Sequence, residues 1–96
     1  MTSKQRAYLK KLASTMDPIF QIGKSGISPE MTQAVSEALE ARELIKLHVL
    51  KNNFDEPKEL ANTLAERTRS QVVQVIGRKI ILYRESRDNK KILLPK

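Results

Sequence analysis

The sequence contains no cysteine, which excludes a disulfide framework and any thiolate metal site. Its single histidine, His48, lies in an apolar stretch and has no second histidine or cysteine with which to bind a metal ion. No apolar run approaches the length of a membrane span, and the basic N-terminus is not followed by the apolar segment of a signal peptide. These absences lead us to expect a cytoplasmic protein that uses no metal, cofactor or membrane partner.

Aromatic side chains are scarce as well, since the chain has only Tyr8, Phe20, Phe54 and Tyr83. An RNA-recognition motif stacks bases on aromatic residues of its sheet, and only Phe20 and Tyr83 fall in predicted strands. We expect most of the four to pack in the core or against helices, with Tyr83 a candidate for a surface hydroxyl. This scarcity argues against recognition by a stacking sheet.

What the chain has in excess is positive charge, with a net charge of +7 that is segregated along the sequence. Residues 1–27 contain five basic residues and one acidic residue, a net charge of +4. Residues 28–66 contain four basic and eight acidic residues (−4), and residues 67–96 contain nine basic and two acidic residues (+7). Such separation is typical of a protein with one side facing a polyanion. At 96 residues, 40% of them hydrophobic, the chain is expected to form one small soluble domain with a single core.

Start signals and apolar spacing predict three amphipathic helices. The first follows a capping box from Thr2 to Gln5 and ends by Asp17-Pro18. The second begins at Ser28-Pro29, a cap followed by proline at the first helical position, and the third begins after Asp55-Glu56 and ends near residue 69. The residues expected to face inward are Leu9, Leu12, Ala13 and Met16, then Met31, Val35, Ala38 and Leu39, then Leu60, Ala61, Leu64 and Ala65.

Four strands are predicted at residues 19–22, 44–50, 71–76 and 79–84. The last two are joined by Gly77-Arg78, which suits a two-residue type II′ hairpin turn. The resulting order is α-β-α-β-α-β-β, and helices between strands require crossovers, so part of the sheet should be parallel. We predict a single α/β (α+β) domain over residues 1–96, in which residues 92–94 either add an edge strand or stay loose.

The loop Gly23-Lys24-Ser25-Gly26 resembles the end of a nucleotide-binding P-loop, but its spacing excludes that site. A P-loop needs a glycine five residues before its Gly-Lys pair, and that position is Pro18, which has no N–H to donate to a phosphate. No later strand ends in the aspartate that would hold Mg²⁺. The loop lies between a strand and the N-terminus of the second helix, where glycine permits positive φ and the helix dipole favours anions. We therefore interpret it as a phosphodiester-binding turn without catalytic groups, like the GxxG loop of KH domains.

Four segments together resemble a known family. They are the basic N-terminal helix, IGKSGIS at 22–28, RELIKLHVL at 42–50 and QVIGRKIILYR at 74–84. In this order they are similar to the CRM domain (chloroplast RNA splicing and ribosome maturation), specifically to the stand-alone bacterial YhbY-like proteins. The resemblance implies an α/β fold like the C-terminal domain of translation initiation factor three. It also implies RNA binding, with bacterial members associated with large-subunit ribosomal precursors.

The resemblance also implies which residues bind RNA. The family's GxxG loop falls on residues 23–26, its basic helix on residues 4–11, and its Glu-Leu-Ile-Lys strand on residues 43–46. The hairpin turn and the basic residues after it are candidates for a second contact patch. The full set of RNA-binding candidates is Gly23, Lys24, Ser25, Gly26, Lys4, Arg6, Lys10, Lys11, Lys46, Arg78, Lys79 and Arg84, with Arg87 beyond them.

The leading hypothesis is a non-enzymatic, monomeric RNA-binding protein that binds structured ribosomal RNA during large-subunit assembly and takes no small-molecule substrate. The alternative is a protein–protein adaptor of the ribosome or translation machinery. Its working surface would be the acidic helices, with Glu37, Glu40 and Glu59 exposed. DNA binding is less favoured, because no recognition helix with base-reading side chains is evident.

Overall fold

The computed structural model describes all 96 residues, Met1–Lys96. Three helices and four strands follow one another in the predicted order, which confirms the α+β fold class. The elements are α1 (Ser3–Ala13), β1 (Phe20–Ile22), α2 (Pro29–Arg42), β2 (Leu44–Val49), α3 (Pro57–Thr68), β3 (Gln71–Ile76) and β4 (Lys79–Tyr83). No helix is both long and apolar enough to cross a membrane.

The four strands form one sheet in the order β1-β2-β4-β3. β1 and β2 are parallel, which confirms the predicted parallel component, and β4 is antiparallel to both β2 and β3. β3 therefore runs in the same direction as β1 and β2. Because α2 and α3 each connect two strands of this shared direction, both helices begin at the end of the sheet where β1 and β2 finish. We call this end, where Ile22, Val49 and Ile76 terminate their strands, the carboxyl edge.

Apolar side chains are buried on both faces of the sheet, in two clusters instead of the single core predicted from chain length. The larger cluster lies between one face and helices α2 and α3. The smaller lies under α1 on the other face and includes Leu9, Ala13 and Tyr83. Alternation along β2 explains the division, because Ile45 and Leu47 face the larger cluster while Leu44 faces the smaller. α1 is too short to cover its whole face, and this leaves part of the sheet accessible.

Local start and turn signals were predicted correctly. Thr2 and Gln5 form the capping box, and the Ser28 hydroxyl accepts the N–H of Met31 at 3.0 Å. Gly77 has φ 58°, and Arg78 does not have positive φ, as a type II′ turn requires. One inward assignment is wrong: Leu12 is 36% exposed, since it lies just outside the stripe that packs on the sheet.

The C-terminal tail after β4 forms no strand, so of the two alternatives predicted for residues 92–94 the edge strand is not the one observed. Ile92 and Leu94 nevertheless pack against the smaller cluster. The side-chain amide of Gln5 donates a hydrogen bond to the Pro95 carbonyl at 3.0 Å, which ties the tail to α1. The tail thus covers part of the sheet face that α1 leaves open.

Two carboxylates at the end of α2 hold the start of this tail. Glu43 is buried, with φ 67°, and it accepts the N–H groups of Ser86, Lys91 and Ile92 at 2.6–2.8 Å. Burial alone would raise the pKa of Glu43, but these three donors hold it below its ordinary value. Glu40 accepts the Ser86 hydroxyl at 2.6 Å, and that bond, together with N–H groups of the tail, lowers the pKa of Glu40. The family resemblance predicts that Glu43 begins a strand, but in the structure Glu43 is the C-terminal cap of α2.

Candidate nucleic-acid interface

The Gly23–Gly26 loop is a tight turn at the carboxyl edge. The Gly26 N–H donates to the Gly23 carbonyl at 3.0 Å, and Lys24 and Ser25 at the two central positions are exposed. Gly26 has φ 71°, so this position favours glycine, whereas Gly23 does not need positive φ. The N–H groups of Lys24 and Ser25 donate no hydrogen bond within the chain. The turn therefore presents an ammonium group, a hydroxyl and two N–H donors to a ligand.

The N-terminus of α2 follows this turn within three residues. Ser28 caps the helix, Pro29 occupies its first position and Glu30 lies in its first turn. The dipole of the helix adds positive potential to that of Lys24, although the Glu30 carboxylate offsets part of it. No atom lies within 4 Å of the position where a Gly26 Cβ would stand, so the turn is open to an approaching backbone. A phosphate group suits this arrangement.

A buried asparagine, Asn53, fixes the turn to the loop between β2 and α3. Its side-chain NH₂ donates to the Gly23 carbonyl at 2.8 Å, and its side-chain oxygen accepts the N–H of Asp55 at 2.8 Å. The side-chain NH₂ group thus joins the two loops, and the side-chain oxygen holds the start of α3 to the same loop. Sequence reasoning missed Asn53, although an asparagine two residues before an aspartate at a helix start is typical of an Asx turn.

Arg78 in the hairpin turn joins the same loop from the other side. Its guanidinium donates to the carbonyls of Val49, Leu50 and Asn53 at 2.6–2.8 Å. Val49 in turn donates its N–H to the Arg78 carbonyl at 2.7 Å. Most of this guanidinium is thus occupied by backbone oxygens, and its observed role is to hold the carboxyl edge together.

The other two predicted arginines also bind carbonyl groups. Arg6 donates to Val72 and Val73 at 2.6 and 2.8 Å, where an irregularity in β3 leaves those oxygens outside the regular ladder. Arg84 joins α2 to the end of α3 through the carbonyls of Ser36 and Thr68 at 2.6 and 2.8 Å. Both side chains stabilise the fold by joining elements that are distant in sequence.

Three of the predicted lysines meet in a groove of about 550 Å³ between α1 and the open part of the sheet. Lys10 and Lys11 line it from α1, and Lys46 lines it from β2. No acidic side chain lines this basic groove; its other residues are Ala7, Ser14, Gln74, Ile76 and Ile81. Ile76 is also the last residue of β3, so the basic groove reaches the carboxyl edge.

Two further predicted lysines lie beside the basic groove. Lys79 pairs with Ile76 on one side and with His48 on the other, which places it on the strand next to the groove. Lys4 lies seven residues before Lys11 and therefore on the same side of α1. His48 is half-buried on the same face as Lys46, as expected for a partly exposed strand residue. The structure thus gathers Lys4, Lys10, Lys11, Lys46 and Lys79 on one face.

The aromatic residues differ most from expectation. Tyr83 packs in the smaller cluster and is 5% exposed, and burial raises the pKa of its hydroxyl. The hydroxyl has no hydrogen-bond partner within the chain and is not sealed from solvent, since Tyr83 also lines an open pocket beside the tail. Phe20 packs partly against the larger cluster as expected. Phe54, in contrast, is 94% exposed, and Tyr8 is 38% exposed. Phe54 lies in the loop that Asn53 bonds to the Gly23–Gly26 turn.

The sequence model of the CRS1/YhbY (CRM) domain matches residues 1–84, which contain every helix and strand of the chain. The chain belongs to the CRM domain family. It is 47% identical over 95 residues to the "Probable RNA-binding protein YqeI" of Bacillus subtilis strain 168, covering 99% of both chains. It is 31% identical over 96 residues to an "RNA-binding protein" of Haemophilus influenzae, covering 100% of this chain and 96% of that relative.

A solved CRM relative has the same fold. The solution structure of a Staphylococcus aureus protein, described as "a putative RNA binding protein", is 60% identical to this chain. It superposes with a TM-score of 0.82, and the match covers 99% of each chain. The family resemblance and the fold predicted from the sequence are therefore both confirmed.

Proposed function

We propose that this CRM protein is a non-enzymatic RNA-binding module, formed by residues 1–96 as one domain, that binds structured ribosomal RNA during assembly of the large subunit. The observation that carries the proposal is the basic groove. Lysines from α1 and β2 converge there without an opposing carboxylate. The groove reaches the carboxyl edge at β3, and Lys24 is exposed at the same end of the sheet after β1. The RNA-binding names of the CRM relatives support the class of partner.

Recognition of the RNA backbone follows from the kinds of side chain in this surface. Lysine ammonium groups attract phosphates but carry little base specificity, and the open sheet face presents no aromatic ring to stack on bases. A groove between a helix and a sheet suits the shape of a folded RNA more than an extended strand. Structured RNA, read through its shape and phosphates, is therefore the proposed ligand.

The candidate residues fall into three groups with different proposed roles. Lys24 and Ser25 hold phosphate oxygens at the turn, while Lys4, Lys10, Lys11, Lys46 and Lys79 supply attraction along the groove. Arg6, Arg78 and Arg84 act through the fold, because their guanidinium groups are occupied by carbonyls. We further propose that the protein is cytoplasmic and monomeric.

The test is a titration of a structured large-subunit ribosomal RNA with wild type and with the double variant Lys24→Asp, Ser25→Asp, at two salt concentrations. Aspartate is well tolerated in the central positions of such a turn, so the variant should fold. If about four to six phosphates are neutralised, the slope of log affinity against log salt should be roughly −3 to −5 for wild type. The variant should bind more weakly and show a smaller slope.

A control with the same change in charge is available on the opposite face. Asn62 and Arg67 are exposed on α3, and neither side chain has a hydrogen-bond partner in the chain. The variant Asn62→Glu, Arg67→Glu alters the net charge by the same three units and should leave RNA affinity nearly unchanged. Equal losses in both variants would indicate a general charge effect and contradict the proposed interface. Full affinity in both would favour the adaptor hypothesis, tested by reversing Glu37 and Glu59.

A further inference from the structure

Phe54 is the most exposed large apolar side chain of the protein, at 94%. Isolated apolar residues are common on protein surfaces and by themselves require no explanation. Two features distinguish this one: the loop that carries it is held on both sides, and that loop is bonded to the Gly23–Gly26 turn. Both are needed to interpret an exposed ring as a binding group.

The hydrogen bonds around Phe54 show that its exposure does not come from a loose loop. On its N-terminal side, Arg78 binds the carbonyls of Leu50 and Asn53, and the Asn53 N–H donates to Leu50 at 3.1 Å. On its C-terminal side, the Asp55 N–H donates to the Asn53 side chain at 2.8 Å. The backbone of Phe54 is therefore fixed at both neighbours. An aromatic ring presented from such a loop loses little conformational freedom on binding.

The same bonds join the loop that carries Phe54 to the turn that carries Lys24. Asn53, the residue before Phe54, donates to the carbonyl of Gly23, the residue before Lys24. A single hydrogen bond of 2.8 Å thus joins the residue before Phe54 to the residue before Lys24. Both side chains are exposed at the carboxyl edge. A phosphate at Lys24 would therefore be bound on a turn whose neighbouring loop carries an exposed aromatic side chain.

Charges around the two loops favour a phosphate at one and a neutral group at the other. Lys24 and Lys51 are cationic, whereas Asp55 and Glu56 place two carboxylates directly after Phe54. These carboxylates repel phosphate from the immediate surroundings of the ring but do not repel an uncharged base. A carboxylate also accepts hydrogen bonds from the amino groups of bases.

We propose that Phe54 is a stacking platform for one unpaired base of the RNA whose phosphate is held at the Gly23–Gly26 turn. This inference rests on the proposed RNA-binding function and extends it by naming a residue that contacts a base. It makes the bound RNA a structured molecule with an unpaired nucleotide at the carboxyl edge. Stacking of this kind is tolerant of base identity, since every base has an aromatic face.

The experiment measures the affinity of four variants for the large-subunit ribosomal RNA used above. Phe54→Ala removes the ring, Phe54→Leu keeps apolar area without an aromatic face, and Phe54→Trp keeps the aromatic face. Loss of one stacked base should weaken binding about 5- to 150-fold in the alanine and leucine variants. Their salt slope should stay equal to that of wild type, because no phosphate contact is lost. Leu93→Ala removes an equally exposed apolar group, at 90%, from the tail and should bind like wild type.

The tryptophan variant supplies a direct signal, because the chain has no other tryptophan. Its affinity should match that of wild type, and its fluorescence should be quenched when RNA is added. Wild-type affinity in Phe54→Ala, together with weak binding by Lys24→Asp, Ser25→Asp, would overturn the stacking inference and leave the proposed function standing. Full affinity in Phe54→Leu would overturn it as well, since apolar contact would then suffice. Absence of RNA binding by wild type would overturn both proposals.

Discussion

Backbone N–H groups meet anions differently at the two ends of the sheet. At the end where α2 finishes, which we call the amino edge, the carboxylates of Glu40 and Glu43 accept N–H groups from the tail. At the carboxyl edge, the N–H groups of Lys24 and Ser25 meet no carboxylate of the chain. Similar groups therefore serve structure at one end, and at the other they remain available to an external anion.

This difference accounts for the placement of charge in the molecule. The acidic middle of the sequence contributes its two bonded glutamates to the amino edge, where they hold the basic tail without contacting the basic groove. The lysines of the groove are left without internal partners, since the one ion pair of the chain joins Lys90 and Glu85 in the tail. The basic groove is therefore free of carboxylates, although Glu30, Asp55 and Glu56 of the acidic middle lie near Lys24 at the carboxyl edge.

The largest effect is expected from breaking the internal anion site with Glu43→Gln. In the wild type, the two oxygens of the buried Glu43 carboxylate accept three backbone N–H groups. A glutamine keeps only one of these oxygens, and its NH₂ group would face N–H donors that it cannot bond. We expect the free energy of unfolding to fall by roughly 2–4 kcal/mol, measured by urea denaturation. Glu37→Gln on the exposed face of the same helix is the matched control and should change stability by less than about 0.5 kcal/mol. A small effect of both variants would mean that the tail adds little stability.

The same site predicts the response of the wild type to acid. The pKa of Glu43 and that of Glu40 lie below the ordinary value of 4.5 in the folded chain. Their contribution is therefore complete above that value and is lost as the pH falls through the folded-state pKa. The free energy of unfolding should decline below about pH 5, and Glu43→Gln should show a shallower decline. Parallel acid profiles for the two proteins would exclude Glu43 as a source of this dependence.

A smaller effect is expected at the open edge from Gly26→Ala. Because φ at this residue is 71°, an alanine there should cost roughly 1–2 kcal/mol of stability. Gly23→Ala is the control, since a Cβ there would stand 3.6 Å from Leu50, an ordinary contact, and φ is not positive. Thermal unfolding should show a midpoint lowered by about 4–8 °C per kcal/mol in the first variant only. Equal shifts would indicate that the two glycines are required for the same reason.

The contrast between these glycines shows how far local sequence patterns reach. Caps at Thr2 and Ser28, the turn at Gly77 and the spacing of inward residues depend on neighbours within one or two turns. These features were therefore predictable. Gly23 and Gly26 share the sequence pattern of a GxxG loop, yet only the structure shows which of them has positive φ.

Partners distant in sequence account for most of what the sequence did not predict. Arg6 binds carbonyls 66 and 67 residues away, and Arg84 binds a carbonyl 48 residues away. Formal charge does not distinguish these arginines from the lysines of the basic groove, because each of these side chains carries one positive charge. The difference arises from geometry, since a planar guanidinium meets several carbonyls at once while a lysine remains solvated. That the lysines form an RNA-binding face stays a prediction.

The smallest effect is expected from supplying the open edge with an anion. If sulfate binds where a phosphate would, a concentration equal to its dissociation constant should add only about 0.4 kcal/mol to the free energy of unfolding. Thermal unfolding in sodium sulfate should therefore show a slightly higher midpoint than in sodium chloride of equal ionic strength. Sulfate also stabilises proteins generally, so the informative quantity is the difference between variants. The increment should shrink in Lys24→Asp, Ser25→Asp and persist in Asn62→Glu, Arg67→Glu, whereas equal increments would show that the turn binds no anion.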